Sequence, residues 1–222
     1  MRKWYTLVEA YSRRQLTVKT DKLPAVSGVA AEVAHMLGSA DGSAYAAGLW
    51  KGDILRGLAW FFHPMFCLRV AKGDHPWPPG PADEGIPSWS WAAFDGSVMH
   101  YGQGWSKLQA PTVLSVETLP VGVDPFGRVM GGRIRLTGWT FEAQVSEAHL
   151  RLYFDSDPEE LPSIAVVCLM LGNGLSPRRV YGDVGLVLMK DGQRQRRVGM
   201  FDVEASDRKW VKGRRQMTVE IE

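Results

Sequence analysis

The sequence contains few of the features that identify the common functional classes. Its 222 residues include only two cysteines, Cys67 and Cys168, and neither belongs to a Cys-x-x-Cys pair or a Cys/His cluster. This scarcity excludes a disulfide framework and the zinc sites of familiar spacing. Because reduced cysteines are typical of the cell interior, we expect a cytoplasmic protein; a single Cys67–Cys168 disulfide is the less favoured alternative.

The sequence also has little net charge and no long apolar run. The formal net charge is +2, which provides no electrostatic basis for nucleic acid as the main partner. The longest apolar candidate, residues 54–70, contains Arg56, His63 and Pro64, and no uninterrupted run reaches the roughly 18 residues that a membrane span requires. We therefore expect neither a nucleic-acid partner nor a membrane span.

Motifs for catalysis and metal binding are also missing from the sequence. No two of the five histidines lie at metal-ligand spacing, and neither Ser88 nor Ser90 stands in a Gly-x-Ser-x-Gly elbow. The acidic run at residues 155–160 lacks the turn glycine of a calcium loop, which favours a solvated loop. Basic residues near the C-terminus alternate with apolar ones, as on a half-exposed sheet, with anion binding as the alternative. We expect no catalytic residue, no metal and no cofactor.

Apolar residues at helical spacing predict that residues 1–70 form a helical region. The first helix carries a stripe at positions i, i+3, i+4 and i+7, formed by Trp4, Leu7, Val8 and Tyr11. Asp21 is predicted to cap a second helix. Its predicted buried stripe consists of Leu23, Val26, Val29, Ala30, Val33, Met36 and Leu37. A third helix is predicted over residues 53–62, because Pro64 cannot continue it.

A proline-rich loop at residues 71–86 separates this region from a β region at residues 87–222. Turn signals divide the β region at short intervals, and no helical pattern intervenes. The predicted strands are residues 88–94, 113–119, 132–142, 150–154, 164–171, 185–190, 197–202 and 217–221. Such spacing predicts antiparallel pairing in a β sandwich or barrel-like sheet. We therefore predict an α+β fold, with N-terminal helices packed beside the sheet in one compact unit.

The hairpin around Asp191-Gly192 has two candidate registers. A two-residue turn would place apolar side chains opposite polar ones. A three-residue loop pairs Lys190 with Arg194 and Leu186 with Val198, which creates a continuous apolar face. Because the burial of one face specifies register, we predict the longer loop or a bulge.

The segment Pro87–Ala92, with the sequence Pro-Ser-Trp-Ser-Trp-Ala, is the most distinctive in the chain. On a strand, Trp89 and Trp91 would point to the same face. A pair of this size is either the centre of a core or a stacking platform for a ligand. With His100 and Tyr101, which follow in the next loop, the two tryptophans are the candidate ligand or partner surface. The apolar continuation of the segment favours the core, so we expect both tryptophans to be largely buried.

Several segments, taken in order, resemble the region that follows the defining domain in fungal heterokaryon-incompatibility (HET) proteins. They are Trp4-x3-Val8-x2-Tyr11-Ser12, Leu16-Thr17, Asp21-Lys-Leu-Pro-Ala25 with Ser27-Gly28, Tyr45-x2-Gly48-Leu-Trp50, Leu58-x-Trp60, Pro87–Ala92, Gly185-Leu-Val-Leu188 and Arg197-Val-Gly199. Each segment alone is weak, whereas their shared order over residues 4–199 is specific.

The resemblance implies that the HET domain lies upstream and that this chain corresponds to the region after it. In the family, death-inducing activity in allorecognition is ascribed to that domain, so the resemblance implies a non-enzymatic accessory region. Its partner would be a HET domain, in cis or in trans, or another protein. We then expect an exposed apolar patch near residues 1–20 that includes Trp4, Leu7 and Tyr11. The alternative is a small-molecule-binding module or enzyme with a pocket lined by the four candidate residues.

Overall fold

Three helices provide much of the N-terminal half of the computed structural model, which describes residues 1–14, 16–62, 85–101, 105–107, 109–144, 151–155, 165–175, 181–191, 194–204 and 213–222. They are α1 (Arg2–Ser12), α2 (Lys22–Met36) and α3 (Ile54–Gly57). The predicted stripe of α1 is confirmed in part, since Trp4 and Val8 are buried. Within the described residues, no helix is long and apolar enough to cross a membrane.

The buried stripe of α2 is narrower than the sequence predicts. Its buried apolar residues are Leu23, Val26, Ala30 and Ala34, spaced by three or four residues along one side. Val29, Met36 and Leu37, which were predicted to be buried, are exposed. The helix is apolar on more than one side, so the sequence pattern alone could not identify the side that packs.

The predicted third helix is wrong beyond its first turn. α3 ends at Gly57, and the chain then forms strand β3 (Trp60–Phe61), which pairs with β4 (Met99–His100). The segment before α3 forms a small hairpin of β1 (Tyr45–Ala46) and β2 (Leu49–Trp50). Pairing with β4, which lies about 40 residues away in sequence, overrides the local helical pattern of this segment.

Seven strands form one large sheet in the C-terminal half. They are β5 (Thr112–Pro120), β6 (Val129–Ala143), β7 (Arg151–Phe154), β8 (Val166–Leu175), β9 (Tyr181–Asp191), β10 (Arg194–Glu204) and β11 (Arg215–Ile221). Among the described residues of this sheet, every pairing is antiparallel except a single parallel contact between β10 and β11. The predicted α+β fold class is confirmed.

The sheet closes on itself through β11. This strand pairs with β6 on one side and touches β10 on the other, so β6, β8, β9, β10 and β11 form a ring. A ring with an odd number of strands cannot alternate in direction throughout, which is why β10 and β11 run parallel. The remaining strands extend this ring, with β5 beside β6 and β7 beside β10.

The central strand β8 is buried on both faces. Val167, Leu169 and Leu171 belong to the cluster that contains the helices, whereas Val166, Cys168 and Met170 belong to a second cluster. Successive side chains on a strand point to opposite faces, so the sheet packs on both sides here. Cys168 is buried and forms no disulfide with a described residue, and Cys67 lies outside the described residues.

The β9–β10 hairpin has a bulge, as predicted, but its register is not the predicted one. Lys190 pairs with Gln195, one residue beyond the predicted Arg194, and the register shifts between Arg197 and Gly199. Leu188 therefore lies opposite Arg197. A charged residue can take this buried position because it has polar partners there, as described below.

Two predicted segments remain to be placed. Residues 88–94 do not form a strand; they form turns and a 3-10 helix at Trp91–Ala93. The proline-rich loop of residues 71–86 lies outside the described residues except for Gly85 and Ile86.

Candidate functional site

The segment Pro87–Ala92 lies in the core, between the helical half and the sheet. Trp89 is 0% exposed and Trp91 is 1% exposed, which confirms the expected burial. Ser90 initiates the 3-10 helix, because its hydroxyl accepts a hydrogen bond from the Ala92 N–H at 3.1 Å. The same hydroxyl donates to the Ala47 carbonyl at 2.7 Å. The turn is therefore attached to the β1–β2 hairpin at its first residue.

The carbonyl of Gly48 receives two indole N–H groups. Trp4 Nε1 and Trp91 Nε1 each donate to it at 3.0 Å. Gly48 has φ +92°, and a Cβ at this position would lie 2.4 Å from Trp91 Nε1. Only glycine combines this backbone conformation with so close an approach.

Ser88 and Trp89 attach the segment to the other half. The Ser88 hydroxyl donates to the Glu222 carbonyl and accepts a hydrogen bond from the Arg197 N–H at 3.0 Å. The Trp89 carbonyl accepts a hydrogen bond from Trp60 Nε1 at 3.0 Å. Consecutive residues of one short segment thus hold β3, β10 and the end of β11.

Arg197 is buried, pairs with Asp155 within the sheet half and donates hydrogen bonds to the helical half. Its guanidinium donates to both carboxylate oxygens of Asp155, at 2.9 and 3.2 Å. It also donates to the carbonyls of Leu58, at 2.8 Å, and Trp60, at 2.6 Å, and lies 3.3 Å from the centre of the Trp60 ring. Five polar and aromatic contacts around one buried cation compensate for the water it has lost.

Burial shifts the pKa of both members of this ion pair. It raises the pKa of Asp155 above its ordinary value, and the Arg197 guanidinium opposes that shift. Burial likewise lowers the pKa of Arg197, opposed by the carboxylate. The bidentate contact is the geometry that keeps both groups charged. The sequence alone did not indicate that these two residues form an ion pair. Arg197 fits the alternating pattern of a half-exposed sheet, and Asp155 lies in an acidic run that is typical of a solvated loop.

His100 lies against α1. Its backbone N–H donates to Glu9 Oε1 at 2.9 Å, its Nδ1 lies 3.5 Å from the same oxygen, and its ring lies 4.6 Å from that of Tyr5. Among the described residues, neither ring nitrogen makes a hydrogen bond. Burial lowers the pKa of His100, with smaller opposing contributions from Glu9.

Tyr101 belongs to a different polar cluster, on the side of the sheet. Its hydroxyl donates to Asp202 Oδ2 at 3.0 Å, and the hydroxyl of Tyr153 donates to the same oxygen at 2.9 Å. Arg151 Nε donates to the other carboxylate oxygen. Burial and the Asp202 carboxylate together raise the pKa of Tyr101 well above its ordinary value.

The four candidate residues therefore do not converge on one pocket. The two tryptophans lie at the junction of the halves, His100 faces α1 and Tyr101 faces Asp202. A shallow depression of about 370 Å³ lies elsewhere, between the turn before β1 and strand β5, and none of the four lines it. A ligand platform would require exposed indole faces, and both indoles are buried.

Residues outside the four candidates carry the junction, namely Gly48, Trp60, Asp155 and Arg197. Among the described residues, no group of three histidine, cysteine, aspartate or glutamate side chains is placed to hold a metal ion.

No family model matches the sequence, and comparison with curated proteins and with solved structures likewise found no significant match.

Gly48→Ala should destabilise the protein by at least about 2 kcal/mol, because alanine is strained at positive φ and its Cβ would displace the Trp91 indole. Gly52→Ala is the matched control, since a Cβ there meets nothing within 4 Å. Urea unfolding followed by tryptophan fluorescence measures both. Equal stability of the two variants would contradict the role assigned to the Gly48 carbonyl.

Arg197→Met should cost about 3–5 kcal/mol, because it leaves the buried Asp155 carboxylate without a counter-charge. Adding Asp155→Leu should recover part of that loss, since the unpaired charge is then removed as well. Arg194→Met serves as the control, because Arg194 pairs at the surface with Glu220 and Glu222 and should change stability by less than about 1 kcal/mol. A double variant no more stable than Arg197→Met would argue against a charge-pairing role.

His100 should make the protein less stable as the pH falls below about 6.5, the ordinary histidine pKa. Its pKa in the folded state is lowered, so below that pH the unfolded chain binds more protons than the folded chain, and unfolding is favoured. In His100→Gln, this part of the pH dependence should disappear. Urea unfolding at pH 7.5, 6.5 and 5.5 measures it; parallel pH profiles for the two proteins would refute the prediction.

Proposed function

We propose that this chain is the accessory recognition or regulatory region of a fungal HET-type allorecognition protein. It acts without catalysis of its own, in heterokaryon incompatibility and the associated programmed cell death in the cytoplasm. Its partner is a HET domain, in cis or in trans, or another protein. The proposal starts from the ordered resemblance over residues 4–199.

One structural observation supports the resemblance. Its segments, which are far apart in the sequence, contact one another directly in the junction. Trp4 and Trp91 share the Gly48 carbonyl, Trp60 donates to the Trp89 carbonyl, and Arg197 donates to the Trp60 carbonyl. A shared scaffold requires such contacts between the matching segments.

The surface for such a partner does not lie where the sequence predicted it. Trp4 is buried, and Leu7 and Tyr11 pack against the core, so α1 does not present an apolar patch. The outer face of α2 does. Its large apolar side chains are exposed by 44% at Val29, 69% at Met36 and 50% at Leu37. We place the partner contact on this face, which we call the α2 outer face.

The double variant Val29→Lys with Met36→Lys tests this assignment. Both side chains are already exposed, so the fold should be unaffected, with a melting temperature within about 2 °C of the parent. Binding of a purified HET domain in trans should fall at least about tenfold, because two charges would be placed in an apolar contact. Val123→Lys, at a fully exposed position in the β5–β6 turn, is the control and should bind normally.

A second measurement tests the functional class. Residues 1–222 are expressed in a fungal host with and without a fused upstream HET domain, and growth arrest is scored. We expect arrest only when the HET domain is present, with an extent that the α2 variant alters. Arrest by residues 1–222 alone would overturn the non-enzymatic assignment, and a folded variant with unchanged binding would move the contact elsewhere.

A further inference from the structure

Helix α1 covers one edge of strand β4 with polar side chains. β4 pairs with β3 on one side. Because N–H groups alternate along a strand, those of Val98 and His100 share the other edge. The Val98 N–H donates to the Ser12 hydroxyl at 3.0 Å, and the His100 N–H donates to Glu9 Oε1 at 2.9 Å. Side chains three residues apart lie on one face of a helix, so α1 takes the place of a neighbouring strand.

Helix α1 has few features that would stabilise it on its own. Its 11 residues fall short of the roughly 12–15 at which isolated helices become marginally stable. Its N-terminus has no side-chain cap and no acidic residue in the first turn. Arg2 and Lys3 stand there instead, at the positive end of the helix dipole. The helix therefore depends on its contacts with the rest of the chain.

Those contacts are both apolar and polar. Trp4, Tyr5 and Val8 are buried, and the Tyr5 hydroxyl donates to Asp53 Oδ2 at 2.8 Å. Together with the Trp4 bond to the Gly48 carbonyl, they hold α1 in place as the predominant state. A change at a single further contact will alter the small released population without unfolding the protein.

The ring of His100 lies at the centre of the contact between α1 and β4. It is 4.6 Å from the Tyr5 ring, and its Nδ1 is 3.5 Å from Glu9 Oε1. That oxygen already accepts the His100 backbone N–H. The side chain is only 1% exposed. A proton taken up here would create a cation that has lost its water and has only a long contact to a carboxylate.

The charges around His100 also oppose its protonation. The charged groups that face it are Glu9 from α1, Arg56 from α3 and Arg197 from β10. Tyr5 from α1 is the titratable neighbour in ring contact, and burial raises its pKa, so it stays neutral. Burial lowers the pKa of His100, and the two arginines add to this effect against Glu9. Exposure of the ring to water would remove this penalty.

We infer that α1 is a proton-sensitive cover of the β4 edge, which detaches locally when His100 takes up a proton. Detachment brings the imidazolium into water and frees the N–H groups of Val98 and His100 for another acceptor. The released population should rise by up to about tenfold between pH 7.5 and pH 5.5, the limit for one histidine with an ordinary pKa in the released state. The inference rests on the contact between α1 and β4 and does not depend on the proposed function.

Native-state hydrogen exchange of residues 1–222, followed by NMR at pH 7.5, 6.5 and 5.5, tests the inference. The amides of Val98 and His100 report on α1, because both donate to it. After correction for intrinsic exchange, their protection should fall by up to about tenfold over this pH range. Low concentrations of urea should change it little, as in a local opening, whereas amides of β8 and β9 should respond to urea as in global unfolding.

Two variants identify the titrating group. His100→Gln should abolish the pH dependence of Val98 protection. Glu9→Gln keeps an oxygen that accepts the His100 N–H and removes the carboxylate, so the pH dependence should persist if His100 is the titrating group. Glu32→Gln, at an exposed position of α2, is the matched control and should behave like the parent.

Three outcomes would overturn the inference. The first is protection of the Val98 and His100 amides that does not change with pH in the parent protein, a result that needs no variant. The second is a urea dependence equal to that of the β9 amides, which would show that α1 leaves β4 only in global unfolding. The third is a pH dependence that survives in His100→Gln or disappears in Glu9→Gln.

Discussion

The buried pair of Arg197 and Asp155 is the interaction on which the rest of the structure depends. A guanidinium at this depth is stable only if the carboxylate and the carbonyls of Leu58 and Trp60 are all in place. Asp155 comes from the sheet half, directly after β7, whereas the two carbonyls come from the helical half. The hydrogen bonds of the Arg197 guanidinium are therefore complete only when the two halves are docked.

The tryptophans stabilise the same junction by apolar burial and by indole hydrogen bonds. Each indole contributes a large apolar surface and a single N–H donor, so its burial is favourable only where a carbonyl is correctly placed. Trp4 and Trp91 share the carbonyl of Gly48, and Trp60 uses that of Trp89. These hydrogen bonds fix the orientation of the indole rings, which dispersion contacts alone would leave poorly defined. The segment Pro87–Ala92 is thus a structural connector whose residues each hold a different part of the chain.

Exposed apolar side chains form two groups that lie on different halves of the protein. The α2 outer face belongs to the helical half, and the second group, in β5 and the turn after it, belongs to the sheet. The four candidate residues contribute to neither surface, since all four are buried.

The sequence by itself determined the features that depend on local pattern: helices α1 and α2, seven strands from β5 to β11, a bulge in the β9–β10 hairpin, and the burial of Trp89 and Trp91. These follow from periodicity, turn residues and apolar size, which act between near neighbours. Only the tertiary structure decided the conformation of residues 53–62 and 88–94, the packed side of α2, and the register that places Arg197 opposite Leu188. In three of these cases a partner distant in sequence supplied the deciding contact: β4 for Trp60 and Phe61, the Ala47 and Gly48 carbonyls for the tryptophan segment, and Asp155 for Arg197. Such partners leave no trace in local spacing, because their energy arises only when segments far apart in the sequence meet in the folded chain.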